Sequence, residues 1–478
     1  MKKKFFLTAM LAVSACMTLC AQGLGPDIYD QPLKEVLSRI ETVYGVKLEY
    51  QDKNVKGKTV AYAPWKFNRS LETTLDNVLF PLEMRWQRTP DGVYEIKKYE
   101  YYRLDEEEGR YALEKSAAEY DSVPKWEGRK AELRDNIITA LGIDRFPKTE
   151  IRTVSSNRRT YKGYSVENMA LEILPGVWVS GSLYMPARYK GKIPFMLSPH
   201  GHFYNNEDNS IPDERGRYRP DQQLRCATLA RMGVAVFSYD MWAWGEFALA
   251  FSPKDHRTDL SIIMQTWQGV RILDYFCAQK WVDLTRVGAT GASGGGTQVM
   301  IIAAIDDRVT LSAPVVMASA HFYGGCPCES GRPVHILPDG SRTSNVEFCA
   351  AFAPKPLLVV SDGEDWTKNV PEVEFPYLQK MYGLYGAEDN VENVHLASEG
   401  HDYGPNKRIA VYDFVRRHWS LDASRVYKDG RYDESATVVE PAVEMYVFGE
   451  ERKLPEGTIM GSAALRAMIA SFDGTVEK

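Results

Sequence analysis

The stretch V-G-A-T-G-A-S-G-G-G-T-Q, Val287 to Gln298, joins a strand-like run to a helix-like run through Gly291-Ala292-Ser293-Gly294-Gly295. Small residues stand on both sides of Ser293. A chain that turns sharply from a strand into a helix needs them there, because a larger side chain would strike its neighbours. In that position the Ser293 hydroxyl sits over a helix N-terminus, which favours negative charge, and the Gly294 N–H can face a developing oxyanion. The same five residues would also serve as a plain glycine turn packing a helix on a strand. The pattern by itself leaves the two readings equal, so the order of the surrounding residues has to decide.

From about residue 150 onward, short apolar runs alternate with helical ones. VSGSLYMPA, PFMLSPHG, VAVFSYD, RVGAT, PLLVVSD and NVHLASEG read as strands. Ile263, Trp267, Val270, Leu273 and Cys277 share one helix face, and Leu378, Met381, Tyr382 and Tyr385 another. Buried strands alternating with amphipathic helices predict an α/β fold, a mostly parallel sheet covered on both faces. After Ser293, PLLVVSD leads to Asp365 and NVHLASEG leads to His401. The order Ser, Asp, His is that of an α/β-hydrolase. With only eight histidines in the chain, one placed directly after the last core strand is informative. Asp365 is the leading candidate for the acid, with Asp362, Glu364 and Glu329 as alternatives. Upstream, PFMLSPHGHF ends a strand at His200-Gly201-His202. In this fold that loop supplies the second oxyanion N–H, here the His202 backbone; a His-X-His metal pair is the weaker alternative. Asp240 to Glu246, DMWAWGE, follows the next strand, and Trp242 and Trp244 are placed there either to stack on sugar or to pack.

The 478 residues are long enough for two or three domains, and 44% hydrophobic and 26% charged residues are ordinary for a globular chain. A net charge of −6 gives no reason to expect nucleic acid or an anionic membrane as partner. Lys2, Lys3 and Lys4 followed by the apolar Phe5–Ala15 read as a signal peptide, residues 1–21, with cleavage after Ala21. Val13-Ser14-Ala15-Cys16 also suits lipid attachment at Cys16. An exported, periplasmic or cell-surface protein without a membrane span is expected. Cys226, Cys277, Cys326, Cys328 and Cys349 would remain, and such a compartment permits a disulfide within Cys326-Pro327-Cys328 or from it to Cys349. No second paired ligand set accompanies Cys326 and Cys328, so neither metal nor cofactor is expected. Residues 26–100 alternate strands and helices as a small α+β domain. Residues 101–130, charged and without a firm apolar period, are predicted to be a linker, 131–421 the catalytic domain and 422–478 a C-terminal extension.

The motifs Pro199-His200-Gly201-His202, Gly291-Ala292-Ser293-Gly294-Gly295, Gly325-Cys326-Pro327-Cys328-Glu329, Asn345-Val346-Glu347, Asp365-Trp366-Thr367-Lys368 and Gly400-His401 resemble bacterial carbohydrate esterases of the α/β-hydrolase fold. The resemblance is to the acetyl xylan esterase-like and pectin methylesterase group, and it extends to Leu454-Pro455-Glu456-Gly457 in the tail. It implies a Ser293–Asp365–His401 triad, an oxyanion hole from Gly294 and His202, and a plant polysaccharide ester as substrate. A pectic methyl ester is favoured over an acetyl ester. Arg342 and Lys368 are then candidates for uronate carboxylates, and Trp244 for a sugar face. The chain departs from the pattern by the insertion His335–Ser341 before Arg342. Residues 26–100 resemble the small N-terminal domain of secretin and TonB-type proteins, which implies docking rather than chemistry. A serine peptidase and a non-catalytic binding protein are the rivals from other classes.

Overall fold

The computed structural model describes residues 29–89, 91–202 and 215–472. The expected signal peptide and Cys16 lie outside the described residues. The chain divides into two compact units, Met1–Tyr101 and Tyr102–Lys478.

In the first unit, helix Leu33–Tyr44 buries Leu33, Val36, Leu37 and Ile40 at helical spacing and stops at Gly45, whose φ of 65° is the left-handed cap that glycine adopts readily. Helix Leu71–Leu79 starts at Ser70, whose hydroxyl accepts from the Thr73 N–H at 3.2 Å. Strands Met84–Arg88 and Tyr94–Lys98 pair antiparallel, and Leu48–Tyr50 adds to the second of them in parallel. Val43, three positions beyond Ile40 at the same helical spacing, is exposed.

The second unit is built on a nine-stranded sheet. In chain order the strands are β1 Thr153–Tyr161, β2 Tyr164–Leu174, β3 Val177–Pro186, β4 Ile193–Leu197, β5 Ala235–Tyr239, β6 Val282–Ala292, β7 Leu311–Val315, β8 Leu357–Asp362 and β9 Val391–Leu396. Across the sheet they run β1-β2-β3-β5-β4-β6-β7-β8-β9. β1 to β3 are antiparallel, β5 joins β3 antiparallel, and from β5 to β9 every pairing is parallel. This is the α/β-hydrolase fold. Because side chains alternate along a strand, Phe195 and Leu197 of β4 enter one apolar layer while Met196 enters the other. Val359 and Leu358 of β8 divide in the same way. Both layers are covered, so these strands are apolar throughout rather than alternating with polar residues.

Residues 101–130 are not a linker. Helices Glu106–Glu119 and Val123–Leu141 occupy them and belong to the second unit. A capping box starts the first: the Glu108 N–H donates to Asp105 at 2.7 Å, and the Asp105 N–H donates to Glu108 at 3.0 Å. These helices bury small and polar groups as well as apolar ones, which is why no apolar period was visible. Gly109 lies against Ala320 and His321, so close that a Cβ there would come within 2.9 Å of His321 Cβ. Ser116 and Arg129 both donate to the buried Glu347, at 2.9 and 3.3 Å. The C-terminal extension packs back on the sheet. Arg159 of β1 and the Tyr161 hydroxyl donate to Glu440, Ile459 N–H donates to the Gly176 carbonyl at 2.8 Å, and Leu465 enters the main core.

The insertion residue His335 is buried, stacked on Tyr323 at 4.4 Å between ring centres, and donates from Nε2 to Asn345 at 2.9 Å. Burial pulls its pKa down to about 4. The unfolded chain therefore binds a proton near pH 6.5 that the folded chain refuses, and stability is lost as pH falls from 6.5 toward 4. Between pH 6.5 and 5 this one residue accounts for about 2 kcal/mol. Urea titrations of wild type and His335→Gln should show a smaller acid-induced loss in the variant; equal losses would mean His335 does not contribute.

Candidate active site

Ser293 lies between β6 and helix Gly294–Ile305 with φ 56° and ψ −125°, a left-handed conformation that a serine adopts only under constraint. The constraint is visible in its neighbours. A Cβ on Gly291 would meet Pro199 O and Gly295 O at 2.8 Å, and one on Gly295 would meet Pro199 O and His200 O at 2.8 Å. The Ser293 N–H donates to the Val315 carbonyl of β7 at 3.0 Å. Gly294, first in its helix, has no intrahelical partner for its N–H. The His202 ring lies over it, 2.5 Å from where a Cβ would stand. The glycines at 291, 294 and 295 are thus required by close approach.

The loop after β4 is held by His200. Its Nε2 accepts from the Met241 N–H at 3.0 Å, which leaves the proton on Nδ1, next to the Gly201 carbonyl at 3.0 Å. Complete burial pushes its pKa down to about 3, so the ring stays neutral. Met241 belongs to the Asp240–Glu246 turn, which is fixed by the fully buried Arg217. That guanidinium donates to Asp240 and Glu246, each at 2.8 Å, and to the Met445 carbonyl at 2.8 Å. Trp242 packs against Phe247 and Phe251 in the core rather than facing a cleft. Trp244 is half-buried beside the rings of His200, His202 and His256.

His401 Nδ1 donates to Asp365 at 2.6 Å, which leaves Nε2 as the acceptor. The other Asp365 oxygen accepts from the Thr367 N–H and hydroxyl, both at 2.6 Å. The Trp366 ring lies 4.6 Å from the His401 ring. The other acids have different partners. Asp362 faces Lys407 at 3.2 Å, and Glu329 accepts from the Cys326 N–H at 3.2 Å while burial raises its pKa to about 8. Glu364 is exposed.

Of the basic residues singled out for substrate, Lys368 is half-exposed and pairs with Glu106 at 3.0 Å. Arg342 is exposed, and its carbonyl accepts from Arg129 at 3.3 Å. Sequence reasoning missed the supports of the site. Thr367 stands in a motif that was noticed, but Arg217 and Lys407 gave no local signal. It also missed His256. The side chains of His202, His256, Cys326 and Cys328 converge, their donor atoms all within 4.8 Å of one another. The second ligand pair that the sequence lacked is therefore supplied by two histidines 54 positions apart. All the cysteines among the described residues are free.

With this geometry in view, Methylesterase BT1017 superimposes with a TM-score of 0.80 and 41% identity, covering 94% of this chain and 98% of that one. The chain belongs to the family of that methylesterase. It is thus an esterase-type hydrolase on the α/β-hydrolase fold. A glucuronoyl esterase from Solibacter usitatus (14% identity, TM-score 0.44, 63% of this chain and 94% of that one) and an acetyl xylan esterase from Paenibacillus sp. R4 (17%, 0.41, 59% and 92%) are more distant. No protein-family profile matches the chain, and no curated protein matches it.

Within this esterase, Lys407 ties the two loops that carry Asp365 and His401. Its ammonium is fully buried and reaches Asp362, Asp402 at 2.7 Å and the Gly400 carbonyl at 2.5 Å. Removing one partner of a buried pair strands the other charge, at a cost of about 3 kcal/mol or more. Lys407→Met should lower unfolding stability by that order, and adding Asp362→Asn should recover much of it. A double variant no more stable than the single one would show that Asp362 is not the stranded charge.

Proposed function

We propose that the protein is an exported serine carbohydrate esterase that hydrolyses methyl esters of pectic uronates. The observation that carries the serine mechanism is the 2.6 Å hydrogen bond from His401 to Asp365, in a fold that presents Ser293 on a strained turn. The family supplies the ester chemistry.

Asp365 keeps the His401 proton on Nδ1, so Nε2 takes the Ser293 proton as Oγ attacks the ester carbonyl. The oxyanion is received by the N–H groups of Gly294 and His202, a term of roughly 3 kcal/mol per donor. Collapse of the tetrahedral adduct returns the proton through His401 to the departing methoxide, and methanol leaves. Water, deprotonated by the same imidazole, then hydrolyses the acyl-serine to the free uronate and regenerates Ser293. The sequence of steps requires no cofactor. A methylesterase seats the uronate on the acyl side. Arg342 and Lys368 are the cations proposed to engage neighbouring uronates, Lys368 by exchanging Glu106 for substrate, and Trp244 offers a flat surface to a sugar ring. The N-terminal unit is assigned docking. Export predicts a mature chain beginning at Gln22, or a lipidated Cys16, distinguishable by mass spectrometry of the protein from its native host.

Methanol release from methylated pectin should fall by on the order of 10⁴-fold or more in Ser293→Ala, and by about 10⁴ in Asp365→Asn, which reverses the preferred imidazole tautomer. Acetate release from acetylated pectin or xylan instead of methanol would keep the triad and overturn the methyl-ester assignment. A Ser293→Ala protein as active as wild type would overturn the mechanism.

A further inference from the structure

The convergence of His202, His256, Cys326 and Cys328 has no part in the ester mechanism above. We infer that these four side chains form a closed tetrahedral zinc site beside the oxyanion loop, a clamp that holds the His202 backbone in place.

The donors face one another. His202 Nε2 and His256 Nε2 are 2.8 Å apart, and Cys328 Sγ is 3.1 Å from His202 Nε2. Cys326, Cys328 and His256 are buried and His202 is partly so. His256 Nδ1 lies 2.7 Å from the Trp242 carbonyl. A carbonyl only accepts, so the proton is on Nδ1 and the Nε2 lone pair points into the cluster. This is the outer-shell hydrogen bond that orients a metal-binding imidazole. The two sulfurs come from one short helical turn, Pro327–Ser330, with Cys326 as its cap. That turn is held by Glu329 on the Cys326 N–H and by Gln265, which donates to the Cys328 carbonyl at 2.9 Å.

Zinc bonded at about 2.0–2.1 Å to nitrogen and about 2.3 Å to sulfur makes a tetrahedron with edges of roughly 3.3–3.8 Å. The His202–His256 and His202–Cys328 separations of 2.8 and 3.1 Å need to open by only about 0.5 Å to accept it. Two thiolates, two neutral imidazoles and Zn²⁺ sum to zero charge, which removes the cost of burying the thiolates singly. Two sulfurs with two nitrogens select zinc over oxygen-loving cations. With four protein ligands no position is left for water, so the ion does not act on the ester.

Its place in the fold gives it a role. His202 follows β4, His256 lies beyond β5, and Cys326 and Cys328 lie beyond β7. The ion would join loops from three strands of the sheet and press the His202 imidazole against Gly294. Both N–H groups assigned to the oxyanion hole would then be set by one ion. This role rests on the esterase reading; the presence of zinc does not.

The test begins with metal analysis of the full-length protein purified without chelator, where about one zinc per chain is expected. Replacing it with Co²⁺ should give tetrahedral d–d bands and a thiolate-to-cobalt charge-transfer band. Cys328→Ser should lose the metal, and Cys349→Ser, at a buried thiol outside the cluster, should keep it. Because Cys328→Ser can fail to fold, the cobalt spectrum of wild type is decisive. No zinc and no thiolate–cobalt band, or a Cys326–Cys328 disulfide found by mass spectrometry, overturns the site. The clamp is read from kinetics: His256→Ala should lower kcat by about 10²-fold with KM little changed, as loss of an oxyanion donor does, and His256→Cys should restore both zinc and kcat. A His256→Ala protein that lacks zinc yet keeps kcat overturns the clamp. A zinc-loaded wild type without esterase activity leaves the site standing and removes the function proposed above.

Discussion

The backbone of Pro199 and His200 lies so close to Gly291 and Gly295 that no side chain fits at either glycine. That approach compresses the turn between β6 and its helix and holds Ser293 at a φ that L-residues avoid. It also determines how near the His202 loop comes to the serine. The strained Ser293 turn and the loop that faces it are therefore products of a single contact between neighbouring parallel strands. A methyl group at Gly291 or Gly295 would push the two apart, so the strain at Ser293 and the site's geometry stand together.

Around this contact the loops beyond the strand ends are anchored by buried charge. Arg217 joins the Asp240–Glu246 turn to the C-terminal extension through Asp240, Glu246 and Met445. Lys407 joins the loops of Asp365 and His401. Such pairs add little net stability compared with apolar packing, but they accept only one arrangement of their partners. Loops at the ends of a parallel sheet have few main-chain hydrogen bonds to one another, and a fully buried cation with several acceptors supplies that missing registration. The C-terminal extension participates directly, since Arg217 and Arg159 both end on its residues.

The histidines divide the same labour. His200 is neutral, buried and bound to Met241, and it positions the loop. His401 has its proton directed by Asp365. His202 and His256 turn toward two thiols. His200 and His202 are two residues apart and look like a pair in the sequence, yet the ring of His200 is taken up by the Met241 N–H. The partner of His202 is His256, from a different loop.

Reading the sequence alone was enough for features with a local cause. Glycines around a serine between a strand and a helix, apolar strands buried on both faces, and Ser, Asp and His in that order after strands β6, β8 and β9 all leave a signal within a few residues of themselves. The helices of residues 101–130 were missed because Gly109, Ser116, Ala117 and Arg129 bury without an apolar period. The choice of Asp365 among neighbouring carboxylates needed the tertiary structure, which points Asp362 at Lys407 and Asp365 at His401. So did the cluster of His202 and His256 with Cys326 and Cys328, whose members are brought together by the order of strands β4, β5 and β7 across the sheet. Periodicity and capping act between residues a few positions apart and are written in the chain. Which distant side chains share a buried space is set by how the strands are ordered and how far their loops reach, and that only folding decides.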